Sequence, residues 1–550
     1  MPEHCEAPAC PTLTDQLTVQ AWVRAGARRV EKMQTLVSKW APPREFGRFD
    51  AFDASAIGRL NCTGYFGAVF DGRYVYFSPE QHEGLIAHGN VLRYDTHAPF
   101  EDAASYAAYD ASSSGGLDCR GYYGAGFDGR FVYFVPRHSH AGGFHTRLLR
   151  YDTRAEFSAT EAWAAFDIGR DHSSQSAAFD GRYLYLCPGY GGEEDVSNHS
   201  GEVIRYDTHA PFDDASSYAW FDATTVGGPD AACFDGAAFD GRWIYFVPLN
   251  QSVAARYDTT SAFDDAGSWQ CQDLAPRGMG MCVGAVFDGR YIYYAPYQNP
   301  RVVRFDTTGD FDDPSAFSCY DGDHTDGLRT AGFDGAYFDG RFVCFIPFIR
   351  ENAGPAEFKL HGNLLRYDTA GTFDDPQSWS AIDHAHTSGI ASYGYNGGAF
   401  DGRYFYSAPW RLKEADDEIG VHGNVLRHDT LGEHGSFSLR YGDLGHNGGL
   451  CAAAPGPSFL VNTTTGVISI AWHHAPDEGE HHLAGVYDGQ QLRLYVDRKC
   501  VAARDASGLI QNCDAPVTIG ALPAGGARFN GTVTDARIEA RAIPAEQLAP

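Results

Sequence analysis

The stretch Gly67-Ala-Val-Phe-Asp-Gly-Arg-Tyr-Val-Tyr-Phe-Ser-Pro79, with Val91-Leu-Arg-Tyr-Asp-Thr96 downstream, decides the fold. Asp-Gly between two apolar alternations is a two-residue hairpin turn, because a type I′ turn needs positive φ at both central positions. Gly-Ala-x-Phe before it reads as one strand. The aromatic and aliphatic run to Pro reads as a second, and the Arg-Tyr-Asp-Thr segment as a third. The same order returns along the chain. Phe-Asp-Gly-Arg recurs at Phe70, Phe127, Phe179, Phe239, Phe287, Phe338 and Phe400. The Arg-Tyr-Asp-Thr motif recurs in segments opening at Val91, Leu148, Val203, Ala254, Val302, Leu364 and Val425. A third motif, roughly Ser-x-Trp/Tyr followed by Asp, ends at Asp110, Asp167, Asp222, Asp273, Asp321 and Asp383, and supplies a fourth strand.

Four-stranded units repeated every 50–60 residues or so predict a β-propeller, and two independent motifs give seven blades. The last unit lacks its fourth strand after Thr430, and an equivalent stands before the first, at Arg48-Phe-Asp-Ala-Phe-Asp53. The expectation is a ring over residues 47–431, closed by its own beginning.

Composition agrees. Of 550 residues 63 are Gly, aromatics make 14% and hydrophobics 43%, which suits short strands and tight turns with real cores. The net charge of -29 argues against nucleic acid and anionic membrane surfaces as partners. No apolar run reaches the ~18 residues of a spanning helix. The opening Met1-Pro-Glu-His-Cys5 has no basic and apolar leader pattern, so either the chain is cytoplasmic or a leader has been removed. Thirteen Cys leave at least one thiol without an intrachain partner, and their scatter leaves the redox compartment and the disulfide pairing open.

The flanks read as one further domain. The C-terminal part carries His481-His-Leu-Ala-Gly-Val-Tyr-Asp-Gly489, Leu492-Arg-Leu-Tyr-Val-Asp497 and Phe529-Asn-Gly-Thr-Val-Thr-Asp-Ala-Arg-Ile538. The N-terminal part carries Leu17-Thr-Val-Gln-Ala-Trp-Val23 and Leu36-Val-Ser-Lys39. Together these resemble the laminin-G-like and concanavalin-like jelly rolls, with Arg498 standing where that family has Gly. The resemblance covers about a quarter of the chain and implies a β-sandwich (jelly roll); with the repeats it gives an all-β protein, a seven-bladed β-propeller inserted into that sandwich. It divides the chain into residues 1–46, 47–431 and 432–550, the outer two forming one sandwich. It also implies an extracellular or periplasmic setting and a carbohydrate- or protein-binding role. The repeats themselves resemble kelch-like and bacterial propellers in architecture only.

Candidate chemistry lies on the face opposite the Asp-Gly turns, where loop length varies. Four His in these loops (His88, His145, His361, His422) share one register, five residues before the Arg of Arg-Tyr-Asp-Thr. They sit too far from the axis to share an ion, so backbone bonding competes with metal ligation there. His138 and His140 break the repeat and are candidate metal ligands. Asp321, Asp323 and Asp326 are oxygen ligands at calcium-like spacing, in a loop whose composition is also that of an ordinary turn. A divalent ion, calcium or a transition metal, is therefore a possible cofactor. Cys62 and Cys119 share a register, with His172 close to it. A thiolate–imidazole site, a disulfide and inert packing are all open. Nearer the axis, the residues four before each Phe are Phe66, Tyr123, Gln175, Asp235, Val283, Asp334 and Asn396.

Two functional readings follow. As a recognition protein, the chain binds a glycan or small polar ligand through Tyr65, Tyr123, Gln175, Asp235, Asp334, Asn396 and Trp410. As an enzyme it resembles polysaccharide lyases and related propeller enzymes, which implies His138, His140, His172, Tyr122 and Arg329 as catalytic groups, with or without a metal ion. A protein-binding scaffold is the third reading. No phosphate loop, dinucleotide fingerprint, nucleophile elbow or zinc-protease motif selects a reaction. The oligomeric state is open.

Overall fold

The structure is a computed structural model. It describes residues 5–549 apart from 7–9, 26–33, 42, 44, 140–142, 193–196, 250–251, 351–359, 414–418, 433, 443–450, 454–455, 473, 475, 477–478 and 523–528. The strands from Phe49–Asp53 to Asn424–Asp429 build seven blades of four antiparallel strands around a central channel. Blade one runs Tyr65–Phe70, Tyr74–Pro79, Asn90–Asp95 and Tyr106–Asp110 from the axis outward. The innermost strands of blades two to seven are Tyr122–Phe127, His172–Phe179, Phe234–Phe239, Cys282–Phe287, Phe333–Phe338 and Tyr395–Phe400. In blade seven the outer strand is Phe49–Asp53, paired with Asn424–Asp429, so the start of the ring closes its end.

The repeat motifs hold each blade together. In blade one Asp71 accepts the amides of Arg73 (2.8 Å) and Tyr74 (2.6 Å) through one oxygen, and the Tyr76 hydroxyl (2.8 Å) through the other. Arg73 reaches across the blade to Asp95, 2.7 Å away, and Thr96 donates to the Arg73 carbonyl. Equivalent ion pairs join Arg130–Asp152, Arg182–Asp207, Arg242–Asp258, Arg290–Asp306, Arg341–Asp368 and Arg403–Asp429. The repeat Arg and Asp are thus structural: their charges neutralise one another along the turn face.

The flanking segments form one sandwich. Leu17–Ala25 lies between His481–Tyr487 and Gly531–Glu539 in a five-stranded sheet. Gln34–Trp40 lies between Gly435–Gly442 and Thr518–Ile519 in the facing sheet of six strands. The apolar faces meet in one core built on residues such as Leu17, Val19, Leu36, Phe437, Phe459 and Leu494. At the turn after Val496, Asp497 and Arg498 both take positive φ (47° and 66°), which is the conformation the family's Gly supplies at lower cost.

The two halves meet on the turn face of blades six and seven. Arg440 of the sandwich is 1% exposed and donates to the Gly402 carbonyl (2.8 Å) in the blade-seven turn. The repeat Arg, about half-exposed in blades one to five, is largely buried in blade six (Arg341), and Arg403 is here 7% exposed. A short strand, Cys451–Ala453, leaves the sandwich half and pairs in parallel with Ala125–Phe127 of the innermost strand of blade two. It lies against the innermost strands of blades one and three as well, so the channel is occupied at its turn end.

Candidate functional site: the funnel on the loop face

Each innermost strand of a blade carries the same irregularity. Pairing with the second strand is interrupted between the first residue and the fourth, as at Tyr65/Ala68 and Phe234/Ala237. The third residue is Gly with positive φ: Gly67 (71°), Gly124 (80°), Gly236 (88°), Gly284 (74°), Gly335 (90°) and Gly397 (58°). Such bulges re-aim a side chain. The residue just before the Gly turns to the axis, while its neighbour turns back into the blade. Hence Phe66, Tyr123, Gln175, Asp235, Val283 and Asp334 line one cavity of about 250 Å³, and Asn396 bonds to Asp334 beside it. Blade three departs from the pattern. Its bulge residue is Ser176, at φ 78°, a conformation that costs a non-Gly residue about 1 kcal/mol or more.

A second ring comes from the residue after the Pro in every blade but the third, where it is Gly189: Glu80, Arg137, Leu249, Tyr297, Phe348 and Trp410. Their amides donate to the carbonyls of Gly64, Gly121, Cys233, Met281, Gly332 and Gly394, just ahead of the innermost strand. Of this ring, Arg137, Leu249, Tyr297 and Trp410 line the cavity with Tyr190, Met281 and Gln298. Aromatic rings form one wall: Tyr123–Phe66 stacked (4.1 Å), Phe66–Trp410 tilted by 51° (4.1 Å) and Trp410–Phe348 stacked (5.1 Å).

The opposite wall is polar. Asp235 accepts the Tyr123 hydroxyl (2.7 Å) and the Gln175 amide (3.0 Å) on one oxygen. Asp334 accepts the Asn396 amide (2.8 Å). The second carboxylate oxygens, Asp235 Oδ1 and Asp334 Oδ1, and the amide oxygens, Gln175 Oε1 and Asn396 Oδ1, are buried with no hydrogen-bond partner among the described residues. Burial raises the Asp235 carboxyl to about 7, against the pull of the Tyr123 hydroxyl and the Arg137 charge. Burial, reinforced by Asp235, raises Asp334 well above the usual range. Glu80 is pushed up to about 7 by burial, opposed by Arg137 (3.1 Å) and Arg411.

The remaining candidates fall elsewhere. Tyr65 and Tyr122, expected at the ligand and the chemistry, face away from the cavity. They are fully buried between blades beside Cys62 and Cys119, because the strand alternation that turns Phe66 and Tyr123 inward turns their neighbours outward. His138 stands close to the funnel, 2.5 Å from the Gln81 amide, and burial followed by the Arg137 charge lowers it to about 4, so it is neutral. His140 lies outside the described residues. His172 is buried beside Glu202, which Arg170 also holds, and does not line the cavity. Cys62 and Cys119 are buried free thiols. Arg329 is bound to Asp323 at 2.9 Å.

The acidic loop is likewise internally bonded. Asp323 also accepts the amides of His324 and Thr330, Asp321 the amide of Asp323, and Asp326 the amide of Ala381. These bonds account for the calcium-like spacing as turn chemistry. No group of three His, Cys, Asp or Glu side chains suited to a metal ion occurs among the described residues. The register His brace the loops: His88, His145 and His361 reach the carbonyls of Gly64, Arg120 and Gly332 through Nε2, while Nδ1 accepts the amide two residues on. Within blade one, the Gly64 carbonyl that receives His88 also receives Glu80, so the brace positions a residue of the second ring.

Sequence reasoning missed that second ring, in particular Glu80, Arg137, Phe348 and Arg411. A signal was present: the residue after the repeat's Pro changes in every blade while the Pro does not.

Among known proteins, residues 430–549 match the concanavalin A-like lectin/glucanases superfamily. A solved nidogen/laminin complex is similar over 54% of this chain and 94% of that one, at 13% identity and a TM-score of 0.30. The dihydro-heme d1 dehydrogenase NirN in complex with DHE is similar over 70% and 76%, at 14% identity and a TM-score of 0.36. No curated protein matches the chain. No helix among the described residues is long and apolar enough to cross a membrane.

Proposed function

We propose that this chain is a recognition protein that takes a small polar ligand, or the end of a glycan, into the funnel on the loop face of the propeller. The sandwich serves as an accessory binding module. The observation that carries the reading is the pairing of an aromatic wall with buried, unpartnered oxygens of Gln175, Asp235 and Asp334 in one cavity and of Asn396 beside it. Rings of this kind cover the apolar face of a sugar. Unpartnered acceptors are costly unless a ligand's donors meet them, by about 1–3 kcal/mol each. The strand Cys451–Ala453 at the far end of the channel makes the loop face the side of approach. The match of the sandwich to a superfamily of lectins and glucanases supports a carbohydrate ligand and an extracellular setting.

The test is a glycan array followed by calorimetry on the hits. Trp410→Ala is expected to weaken binding at least tenfold by removing the middle of the aromatic wall. Hits that bind Trp410→Ala as tightly as the parent would place recognition outside the funnel.

A hydrolase or lyase reading has one observation in its favour. A carboxyl held near 7, as at Asp235, suits general acid–base work at neutral pH. Incubating the array hits with the protein and finding no shortened or unsaturated product removes that reading.

A further inference from the structure

The charged groups around the funnel do not balance. Three buried carboxyls, Glu80, Asp235 and Asp334, stand against two guanidiniums, Arg137 and Arg411. Arg137 and Arg411 both act on Glu80, and Arg137 also lies over the Tyr123 ring (4.9 Å), within reach of Asp235. The other titratable groups facing the Asp235–Asp334 pair are Tyr123, Tyr297 and Cys187, and burial keeps all three neutral. One negative charge is therefore left without a cation of the protein's own, at the place where the four unpartnered oxygens gather. A buried charge in that position is compensated by a proton or by an arriving cation.

We propose that the ligand of this funnel carries one protonated amine, held by Asp235 and Asp334, while its carbon skeleton lies on Phe66, Tyr123 and Trp410. The proposal rests on the funnel being the ligand site. An ammonium donates in three directions and accepts in none, which matches the unpartnered acceptor oxygens of Asp235, Asp334, Gln175 and Asn396. The cavity of about 250 Å³ has room for several ring atoms, far more than a bare ion fills. In the empty site the surplus charge is held by a proton. Binding exchanges this proton for the ammonium and releases it to solvent, so affinity rises with pH as the pair ionises.

The experiment is calorimetry with 6-amino-6-deoxyglucose, glucose and calcium chloride as probes, at pH 6 and pH 8, in two buffers of different ionisation heat. The aminosugar is expected to bind at least tenfold more tightly than glucose, more tightly at pH 8 than at pH 6, and with net proton release at pH 6. Asp235→Asn and Asp334→Asn should each weaken it tenfold or more. Tyr123→Phe removes a bond that lowers the Asp235 carboxyl and should move the pH midpoint of binding upward, in a protein whose fold is checked by circular dichroism. Equal binding of glucose, or calcium displacing the aminosugar, overturns the amine. Array hits without a free amine that still depend on Trp410 overturn it too and leave the funnel standing. Failure of every probe together with a blank array sinks both readings.

Discussion

Asp235 is the residue on which the site's behaviour with pH turns. Its carboxyl is raised in the folded chain, so the stability it contributes is fully present below the ordinary carboxyl range. That contribution is lost as pH rises through about 7. Asp235→Asn keeps the shape and removes the titration. Chemical denaturation should show that variant gaining about 2 kcal/mol relative to the parent between pH 5 and pH 8. Ser176 offers a second test. Its positive φ at the bulge that aims Gln175 makes Ser176→Gly stabilising by about 1 kcal/mol in the same assay. At this scale much was legible. Counting back from the repeat Phe gave Phe66, Tyr123, Gln175, Asp235, Val283, Asp334 and Asn396 as one ring. The strand alternation was harder to place, which is why Tyr65 and Tyr122 were expected at the site and lie in the blade cores.

The turn after the repeat Phe is the element that makes the repeat. Only its Gly takes positive φ (Gly72 106°, Gly289 99°), so it is not the type I′ Asp-Gly turn the sequence predicts: Gly and Arg are its central residues. Its Asp is a built-in cap: in blade five Asp288 accepts the amides of Arg290 (2.8 Å) and Tyr291 (2.7 Å) and the Tyr293 hydroxyl (2.9 Å). Asp288→Ala leaves a buried hydroxyl and two amides without their acceptor, a loss of about 2–3 kcal/mol in urea denaturation. Repetition made these strands and turns readable, since local chemistry and position in the blade say the same thing seven times over. The strand Cys451–Ala453 had no such signal. It pairs with blade two only because the sandwich holds it at the channel mouth. Asp321, Asp323 and Asp326 show the converse, since ligand-like spacing and amide capping use the same residues and only the bonds tell them apart.

For the whole molecule, the insertion depends on both ends of the guest meeting at one place, and Phe49–Asp53 beside Asn424–Asp429 provides that. The joint is tightened by Arg440, buried between sandwich and blade seven and bonded to Gly402 and Ser438. Arg440→Ala removes these bonds. It should cost about 2 kcal/mol and split a single calorimetric transition into two, as the halves unfold separately. A single undivided transition at the parent's temperature would show that Arg440 is not what couples them.

The sequence by itself determined the architecture: seven blades, their strand order, the closing strand and the split sandwich. Each of these follows from periodicity, turn chemistry and motifs separated along the chain. It also determined which residues stand nearest the axis. Only the tertiary structure decided that Asp235 and Asp334 share a cavity with the residues after each Pro. It alone showed that one oxygen each of Gln175, Asp235, Asp334 and Asn396 stays unpartnered, and that the turn face of blades six and seven is an interface. The physical reason is that burial and charge balance belong to groups brought together from different blades, and no local pattern records them.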